Sequence, residues 1–175
     1  MNVDVSISSY EVKEKALLLG FHKVGIAPVD ASMVSKSVAR LQAWLKLGYQ
    51  ADMQWMANPK RQDIRKSMPS VQSIISVALN YYTADRRPEG SQYGKISRYG
   101  WGRDYHRVMD KKLKLLANWL RSHGVEVRYY ADTGPVLDKV WAQAAEREEE
   151  AQTFDRERRS TPSPPERRSP PLRQR

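Results

Sequence analysis

The chain has 175 residues, no cysteine and a formal net charge of +10 at pH 7. This length suits one domain with a tail, and the lack of thiolates excludes disulfides, cysteine nucleophiles and cysteine-held zinc or iron–sulfur clusters within the chain. No apolar run approaches the roughly 18 residues of a membrane span, and the start of the sequence lacks the features of a signal peptide, so we expect a cytoplasmic protein without membrane contact.

The first half of the chain predicts two helices that alternate with two strands. Helical spacing of apolar residues indicates a helix over residues 9–19, capped by Ser9, and another over residues 37–47. Residues 21–29 predict a short strand that closes at a proline. Residues 73–82 are rich in Ile, Val and Tyr and predict a central strand.

The second half predicts a long helix, a third strand and a further helix. Asp104 can cap a helix that runs to His123 with one apolar face. Valine and tyrosine alternate over residues 125–129, which is typical of a strand. Pro135 suits the first turn of a helix that extends to about Glu146. We therefore predict an α/β (α+β) fold, in which helices pack against a single mixed sheet.

The end of the chain differs in composition from the rest. Residues 147–175 are mainly Arg, Glu, Ser and Pro and contain few apolar side chains. Such a segment cannot bury enough surface to offset the conformational entropy that it would lose, so we predict a disordered tail after a domain at residues 1–146. The tail carries eight Arg against six acidic residues, so most of the positive charge belongs to the domain. A basic domain attracts nucleic acid, although solvated Lys and Arg would give the same charge.

The segment Asp132-Thr133-Gly134-Pro135 is the strongest candidate for chemistry. Asp132 follows a predicted strand and precedes a predicted helix, which is the edge of an α/β sheet where ligands bind. Apolar surroundings would suit this carboxyl group to proton donation near neutral pH. The alternative is that Asp132 caps the next helix or forms an Asx turn.

Two further segments are candidates for ligand binding. Residues 96–106 mix Arg, aromatic residues and two glycines, which suits a large planar or phosphorylated ligand; the alternative is an aromatic loop packed on the core. His106 has no second histidine nearby, so a helix-surface position is the simpler interpretation and we predict no metal ligands. Residues 58–61, Asn-Pro-Lys-Arg, either hold a phosphate or carboxamide group or form a solvated loop.

Several separate segments, in this order and spacing, resemble the amino-terminal domain of bacterial epoxyqueuosine reductases. The resemblance covers roughly residues 10–146. The segments are Gly25-Ile26-Ala27-Pro28, Trp55-Met56-Ala57-Asn58-Pro59 with Arg61, Ala78-Leu79-Asn80-Tyr81-Tyr82, Lys95-Ile96-Ser97-Arg98-Tyr99, Trp101-Gly102-Arg103-Asp104-Tyr105-His106 and Asp132-Thr133-Gly134-Pro135-Val136-Leu137.

The resemblance implies reduction of the epoxide of epoxyqueuosine at the wobble position of tRNA, in queuosine biosynthesis. It implies cobalamin as the cofactor of this domain and tRNA as the partner. It further implies Asp132 as the proton donor and as a cofactor contact. The other cobalamin contacts implied are Arg61, Ser97, Arg98 and Lys139, of which Lys139 stands where relatives often have another basic or polar residue.

The sequence departs from the family after Glu146. Family members continue into a domain that holds two [4Fe–4S] clusters, whereas this chain has none of the cysteines and turns into an Arg- and Glu-rich segment. We therefore expect a truncated or frameshifted product that does not turn over alone, and the electron donor stays unassigned. The alternatives are a stand-alone corrinoid- or tRNA-binding protein and a non-functional fragment.

Overall fold

The structure, a computed structural model, describes residues 7–86, 92 and 94–160. In this part of the chain, helices pack on both faces of one two-stranded sheet, and the predicted α/β class is confirmed, although this sheet is antiparallel and not mixed. The helices and strands are α1 (Ser9–Leu18), β1 (Lys23–Pro28), α2 (Ser32–Lys46), α3 (Pro59–Gln62), β2 (Ser73–Ala78), α4 (Tyr105–Ser122) and α5 (Asp138–Ser160). Short 3₁₀ turns lie at Gln54–Ala57, Ile64–Lys66 and Arg98–Gly100.

Helix α1 begins with a capping box. The Ser8 hydroxyl accepts from the Glu11 N–H at 3.2 Å, and the Glu11 carboxylate accepts from the Ser8 N–H at 2.9 Å. Two backbone donors that the helix cannot satisfy are thereby paired. The cap is Ser8 rather than the predicted Ser9, because Ser8 is the residue with Glu three positions later.

The two strands pair antiparallel, from Lys23 opposite Ala78 to Pro28 opposite Ser73. One face of β1 packs under α1 and α4, and the other face packs under α5. Gly25 allows the close approach of α5, since a Cβ at this position would lie 2.9 Å from the Ala145 Cβ. The strand and helix backbones can touch here because neither residue has a bulky side chain.

The core consists of two apolar clusters, one on each face of the sheet. The first joins α1, β1 and α4 through Ala16, Val24 and Leu116. The second joins β1 and α5 through Ala27 and Trp141, with α2 packed at its edge. The domain is therefore three layers thick: α1 with α4, then the sheet, then α2 with α5.

The predicted strand over residues 125–129 is not formed. The segment has neither helix nor strand, although Val127 and Tyr129 pack side by side with the α1–α4 cluster. The alternating valine and tyrosine side chains therefore do share one face, as predicted. A strand also needs a hydrogen-bonded neighbour, and none is present within the described residues. The predicted central strand is also shorter than expected, because β2 ends at Ala78 and the next residues turn away as a loop.

Helix α5 differs from its prediction at both ends. It begins at Asp138, because residues 132–137 form an irregular turn, and Pro135 lies before the helix. It then passes the predicted domain boundary at residue 146 and continues to Ser160. Ala, Glu, Gln and Arg are strong helix formers, and they favour continuation of the helix where low hydrophobicity suggested disorder. The rest of the predicted tail, residues 161–175, lies outside the described residues.

Candidate functional site

Asp132 lies at the centre of a tight turn between residue 131 and α5. Its φ is +60°, a left-handed value that few non-glycine residues adopt, and the Thr133 N–H donates to the Ala131 carbonyl at 2.7 Å across it. Backbone conformations of this kind cluster at functional sites, where surrounding contacts hold them in place. The turn presents the carboxyl group of Asp132 at the exposed surface of the domain.

The hydroxyl of Tyr105 donates a hydrogen bond to Asp132 Oδ2 at 2.5 Å. Tyr105 is held in place because it opens α4, directly after the cap Asp104, whose carboxylate accepts from the His106 N–H at 3.0 Å. The bond to the Asp132 carboxylate, with a smaller contribution from burial, raises the pKa of Tyr105 to about 12. Asp132 therefore does not cap α5, which begins six residues later; its side chain is fixed by a tyrosine from another helix.

Arg61 forms hydrogen bonds to the backbone of the turn that carries Asp132. Its Nη1 donates to the Val136 carbonyl at 2.7 Å, and its Nη2 donates to the Gly134 carbonyl at 3.2 Å. Its guanidinium group lies 4.6 Å from the centroid of the Trp55 ring. Its Nε is buried without a hydrogen-bond partner among the described residues. Arg61 thus has a structural role, since two of its N–H groups hold the turn that carries Asp132, and its predicted contact with the cofactor stays a prediction.

Gly134 is required by this packing. A Cβ at residue 134 would lie 2.6 Å from the Tyr130 Cβ, so a larger residue would push the turn away from the domain. The Asp-Thr-Gly segment thus combines a carboxylate, a strained turn and a close approach to the preceding residues.

An exposed group of rings, which we name the aromatic platform, adjoins the Asp132 carboxylate through Tyr105. Tyr99 contacts Tyr81 edge-to-face at 6.4 Å between centroids and Tyr105 at 6.0 Å. The guanidinium carbon of Arg98 lies 4.6 Å from the Tyr82 centroid and 5.6 Å from that of Trp101. The rings of the platform are Tyr81, Tyr82, Tyr99, Trp101 and Tyr105.

The platform remains open to solvent rather than buried in the core. Tyr82 is 66% exposed and Tyr99 is 55% exposed, and Ile96 at its edge is 71% exposed. Of the two interpretations of residues 96–106, the exposed rings fit a ligand surface and do not fit a loop packed on the core. Arg98 is itself fixed there, because its Nη1 donates to the Thr83 carbonyl at 2.8 Å.

The other predicted contacts lie near the platform and the turn. Ser97 is exposed at the start of the 3₁₀ turn that carries Arg98 and Tyr99. Lys139 is exposed in the first turn of α5, and it lines the same cavity as Asp132. The structure thus brings Asp132, Arg61 and Lys139 together around one turn, and Ser97 and Arg98 join them through the contact of Tyr99 with Tyr105.

Asp138 is a second carboxyl group at this site that the sequence interpretation missed. It lines the cavity with Asp132 and Lys139. Partial burial of the carboxyl group raises the pKa of Asp138, and the negative charge of Asp132 adds to the increase. Asp138 is the first residue of α5, six residues after Asp132, and a carboxyl group at a helix start could have indicated it. The sequence interpretation missed it because the helix was predicted to begin earlier, at Pro135. Tyr105 lies within the candidate segment 96–106, but its bond to Asp132 was not predicted, because nothing local in the sequence links the two residues.

His106 and the 58–61 segment have structural roles. His106 Nδ1 lies 2.9 Å from Asp104 Oδ1, and its ring stacks on Tyr105 with centroids 4.0 Å apart. Asn58 caps α3 by accepting from the Lys60 N–H at 3.0 Å. Across residues 7–86, 92 and 94–160, no group of three or more His, Cys, Asp or Glu side chains could hold a metal ion. No helix in these ranges is long and apolar enough to cross a bilayer.

The sequence matches proteins of known function over most of its length. A family model described as "Epoxyqueuosine reductase QueG, DUF1730" matches residues 61–133. An epoxyqueuosine reductase from Atelocyanobacterium thalassa (isolate ALOHA) is 53% identical over 133 residues, which cover 76% of this chain and 44% of that protein. One from Synechocystis sp. is 55% identical over 124 residues, covering 70% of this chain and 43% of that protein. The chain thus spans less than half the length of these relatives.

Solved structures agree with the sequence comparison. An epoxyqueuosine reductase crystallised with an epoxyqueuosine-modified tRNA-Tyr stem loop superposes with a TM-score of 0.62 at 30% identity, covering 78% of this chain and 37% of that one. The enzyme from Streptococcus thermophilus superposes with a TM-score of 0.59 at 25% identity, covering 83% of this chain and 39% of that one. Over the region that these comparisons match, the chain belongs to the epoxyqueuosine reductase family.

Proposed function

We propose that this chain is the amino-terminal, cobalamin-binding domain of an epoxyqueuosine reductase that acts on tRNA. The observation that carries the proposal is the Asp132 carboxylate, held at an unusual φ of +60°, hydrogen-bonded by Tyr105 and bordered by the exposed aromatic platform. This arrangement holds a carboxyl group, which can give a proton once it is protonated, beside exposed aromatic rings. Both features suit reduction of a bound epoxide.

The residues present fit a cobalamin cofactor. A corrin is flat, largely apolar and edged with carboxamides, and exposed aromatic rings next to hydrogen-bonding side chains suit such a group. The rings of the platform would lie against the corrin, and the exposed side chains of Ser97 and Lys139, with the guanidinium of Arg98, would bind its polar edge. When bound, cobalamin would supply the electrons that reduce the epoxide.

The protein side of the reaction is proton supply and positioning. Opening an epoxide leaves negative charge on oxygen, and a carboxyl group within hydrogen-bond reach stabilises it by giving a proton. Asp132 is the donor in this proposal. Tyr105 keeps the Asp132 carboxyl group in one orientation, and Arg61 keeps the backbone of the turn in place. Asp138 lines the same cavity as Asp132.

A tRNA partner is supported by charge and by a relative. The chain carries a net charge of +10, and positive charge provides most of the affinity for a phosphate backbone. The aromatic platform can also stack a base that has left its helix. A solved relative was crystallised with a modified tRNA stem loop. If the substrate is tRNA, the protein would act in the cytoplasm.

Complete turnover requires more than this chain supplies. The sequence has no cysteine, so it cannot hold a cysteine-ligated cluster to pass electrons to a cofactor. We therefore infer that the chain is not competent alone and that the remaining length of its relatives contains the missing electron path. A stand-alone corrinoid- or tRNA-binding protein is the second candidate, because the platform and the charge would serve binding without reduction.

The experiment uses a chimera in which residues 1–146 of this chain are joined, in register, to the carboxyl-terminal part of the Synechocystis relative. We expect Asp132→Asn in this chimera to keep cobalamin uptake and to lower the rate of epoxide reduction on the order of 10²-fold, the contribution of a positioned general acid. Asp110→Asn, an exposed carboxylate on α4, is the matched control and should change neither quantity. An Asp132→Asn chimera that keeps most of its activity would rule out the proton-donor role.

A further inference from the structure

A cavity of about 500 Å³ separates β2 from the segment 125–131. Its floor is the apolar face of α4, including Leu116 and Ala117, and Trp141 and Ala142 of α5 close the opposite side. Since α4 and α5 form the two outer layers of the domain, the cavity lies in the layer of the sheet. We name it the sheet slot. Packed interiors contain few voids larger than a water molecule, so a space of this size needs an explanation.

Both edges of the slot carry backbone N–H groups without a backbone partner among the described residues, although the Val127 carbonyl accepts from Arg121 Nη2 at 2.8 Å. The Val29 N–H donates to the Gln72 carbonyl at 3.0 Å in the register of the β1–β2 ladder, which directs alternate β2 residues away from β1 and toward the slot. On the other edge, the N–H groups of residues 126–130 donate to no backbone carbonyl in the described part of the chain. The β2 residues whose backbone groups face the slot are Ser73, Ile75 and Val77.

The side chains of the segment 125–131 are already arranged as those of a strand. Val127, Tyr129 and Ala131 pack on the α1–α4 cluster, on the same side of the sheet as Ile75 and Val77. Residues between them point elsewhere, as in a pleated strand. The segment therefore lies at the level of the sheet but one place removed from β2.

The chain path indicates what fills the gap. After the segment 125–131 and the Asp132 turn, α5 packs across both β1 and β2. A helix that follows a strand and packs on the same sheet normally leads to a further strand, parallel to the first and beside it. The position beside 125–131 on the side of β2 is the sheet slot. In this chain α5 continues as helix to Ser160 instead.

We propose that the sheet slot binds one extended, apolar strand from the carboxyl-terminal part of an epoxyqueuosine reductase chain. This strand pairs with β2 on one side and with residues 126–130 on the other, and it joins them into a continuous sheet. The relatives have the necessary length, since this chain spans 44% of one and 43% of another. The inference rests on the proposed function, because the occupant is assigned from that family.

The chain's own carboxyl-terminal residues do not suit the slot. Five of the ten prolines lie within residues 162–171, and most of the neighbouring residues are charged or polar. Proline cannot donate to a ladder, and charges are costly against the apolar floor of the slot, although Asp132 and Lys139 also line this cavity. This composition favours an occupant from another polypeptide or from the longer chain of a relative.

Hydrogen exchange on the full chain tests whether the slot edges are unpaired. We expect the amides of Ile75, Val77 and residues 126–130 to exchange at least about tenfold faster than those of Ile74 and Ser76, which face β1. In the chimera defined above, the amides of Ile75 and Val77, and every second amide of residues 126–130, should become as protected as those facing β1. Protection in the unfused chain that increases with protein concentration would identify a second copy as the occupant and overturn the proposal.

A substitution that fills the slot tests for the occupant, because its effect on the melting temperature should differ between the unfused chain and the chimera. Ala142→Phe places a ring at the α5 side of the slot, where Ala142 is exposed, whereas Ala144→Phe places one in the packed core under β1, where Ala144 is 3% exposed. In the unfused chain we expect Ala142→Phe to leave the melting temperature unchanged or raise it, and Ala144→Phe to lower it by at least about 4 °C through overpacking. In the chimera both substitutions should lower it by at least about 4 °C, because the strand now occupies the slot.

Three other results would contradict the proposal that a strand fills the slot. A lower melting temperature for Ala142→Phe in the unfused chain would mean that no space exists there, and an unchanged melting temperature in the chimera would mean that the carboxyl-terminal part lies elsewhere. A chimera without a cooperative transition would show that the two parts do not fit. Neither measurement needs cobalamin or turnover, so the slot can be supported even if the proposed function fails, and the reverse also holds.

Discussion

Asp132 is the central residue of the candidate site, and it is held in position by contacts that local sequence patterns do not predict. Its φ of +60° and the hydrogen bond from Tyr105 arise from two chain segments that meet only in the folded domain. Aspartate tolerates this backbone better than most residues, and the Tyr105 hydroxyl fixes the rotamer. The consequence is a carboxyl group that is exposed to a ligand yet held in one orientation.

The hydrogen bond between Tyr105 and Asp132 can be measured through the tyrosine. The bond to the carboxylate raises the pKa of Tyr105 to about 12, so Asp132→Asn should return this pKa toward the ordinary value of about 10. Carbon NMR of labelled tyrosine, read against pH, reports the change, and Asp110→Asn on the same helix is the control. The contact as described would be wrong if Tyr105 titrated identically in both proteins.

The same pair sets a direction for stability at high pH. A folded-state pKa that is raised above the unfolded value means that the neutral tyrosine stabilises the fold. This contribution is present below about pH 10 and is lost as the pH rises from the unfolded value toward about 12. Tyr105→Phe should therefore remove part of the pH dependence of unfolding in this window.

At the scale of elements, the sequence predicts α4 accurately because its signals are local. Asp104 caps the helix, and the apolar residues of one face follow the period of a helix. The segment 125–129 shows the limit of such signals. Alternation predicts which side chains share a face, and the structure agrees, but pairing depends on a neighbouring strand that the sequence of this segment cannot specify.

The turn before α5 marks a second limit. Pro135 predicts a helix start, yet residues 132–137 stay irregular because Arg61, which lies 75 residues before Val136, binds their carbonyl groups. A long-range contact overrides a local preference here. The candidate site could therefore be located from the Asp-Thr-Gly segment, while its geometry, including Tyr105 and Asp138, required the fold.

Arg61→Lys tests this contact. A lysine has one nitrogen and cannot bind the Gly134 and Val136 carbonyls in the same way, so we expect a loss of roughly 1–3 kcal/mol in the free energy of unfolding. Lys60→Ala is the matched control, since Lys60 is exposed next to it. Chemical denaturation measures both variants. An Arg61→Lys protein as stable as wild type would show that the turn holds itself in place.

At the scale of the whole molecule, α5 carries the chain past the predicted boundary at residue 146. The Lys23 ammonium lies 2.5 Å from Glu146 at that boundary, and Lys13 lies 2.5 Å from Glu149 just beyond it. The sequence after these two pairs is rich in charged residues. Low hydrophobicity is common to exposed charged helices and to disordered segments, so it could not predict which of the two follows residue 146.

Deleting residues 147–175 should nevertheless cost little. The deletion removes the pair between Lys13 and Glu149, and partly exposed ion pairs contribute about 0–1 kcal/mol. We expect the melting temperature to fall by less than about 4 °C, and Lys13→Ala in the full chain to reproduce most of any change. A truncation after residue 151 keeps Glu149 and is the control. A larger fall would mean that the carboxyl-terminal part contributes to the core.

The last prediction concerns electron supply. The purified chain should bind cobalamin but should not reduce epoxyqueuosine in tRNA with a ferredoxin- or flavodoxin-type protein donor. The physical reason is distance: electrons from a large donor reach a cofactor through buried relays, and a chain without cysteine has no thiolates to hold iron–sulfur clusters. A small, strong reductant needs no relay, and the exposed platform would let it approach.

The test compares three reactions on tRNA that carries epoxyqueuosine: the chain with the protein donor, the chain with a strong small reductant, and the chimera with the protein donor. We expect product in the second and third and none in the first. Cobalamin should also bind more weakly to the chain than to the chimera, because a pocket with one wall buries less of its ligand. Product from the chain with the protein donor alone would show that electrons reach the site without the missing part, and the proposed division of labour would be wrong.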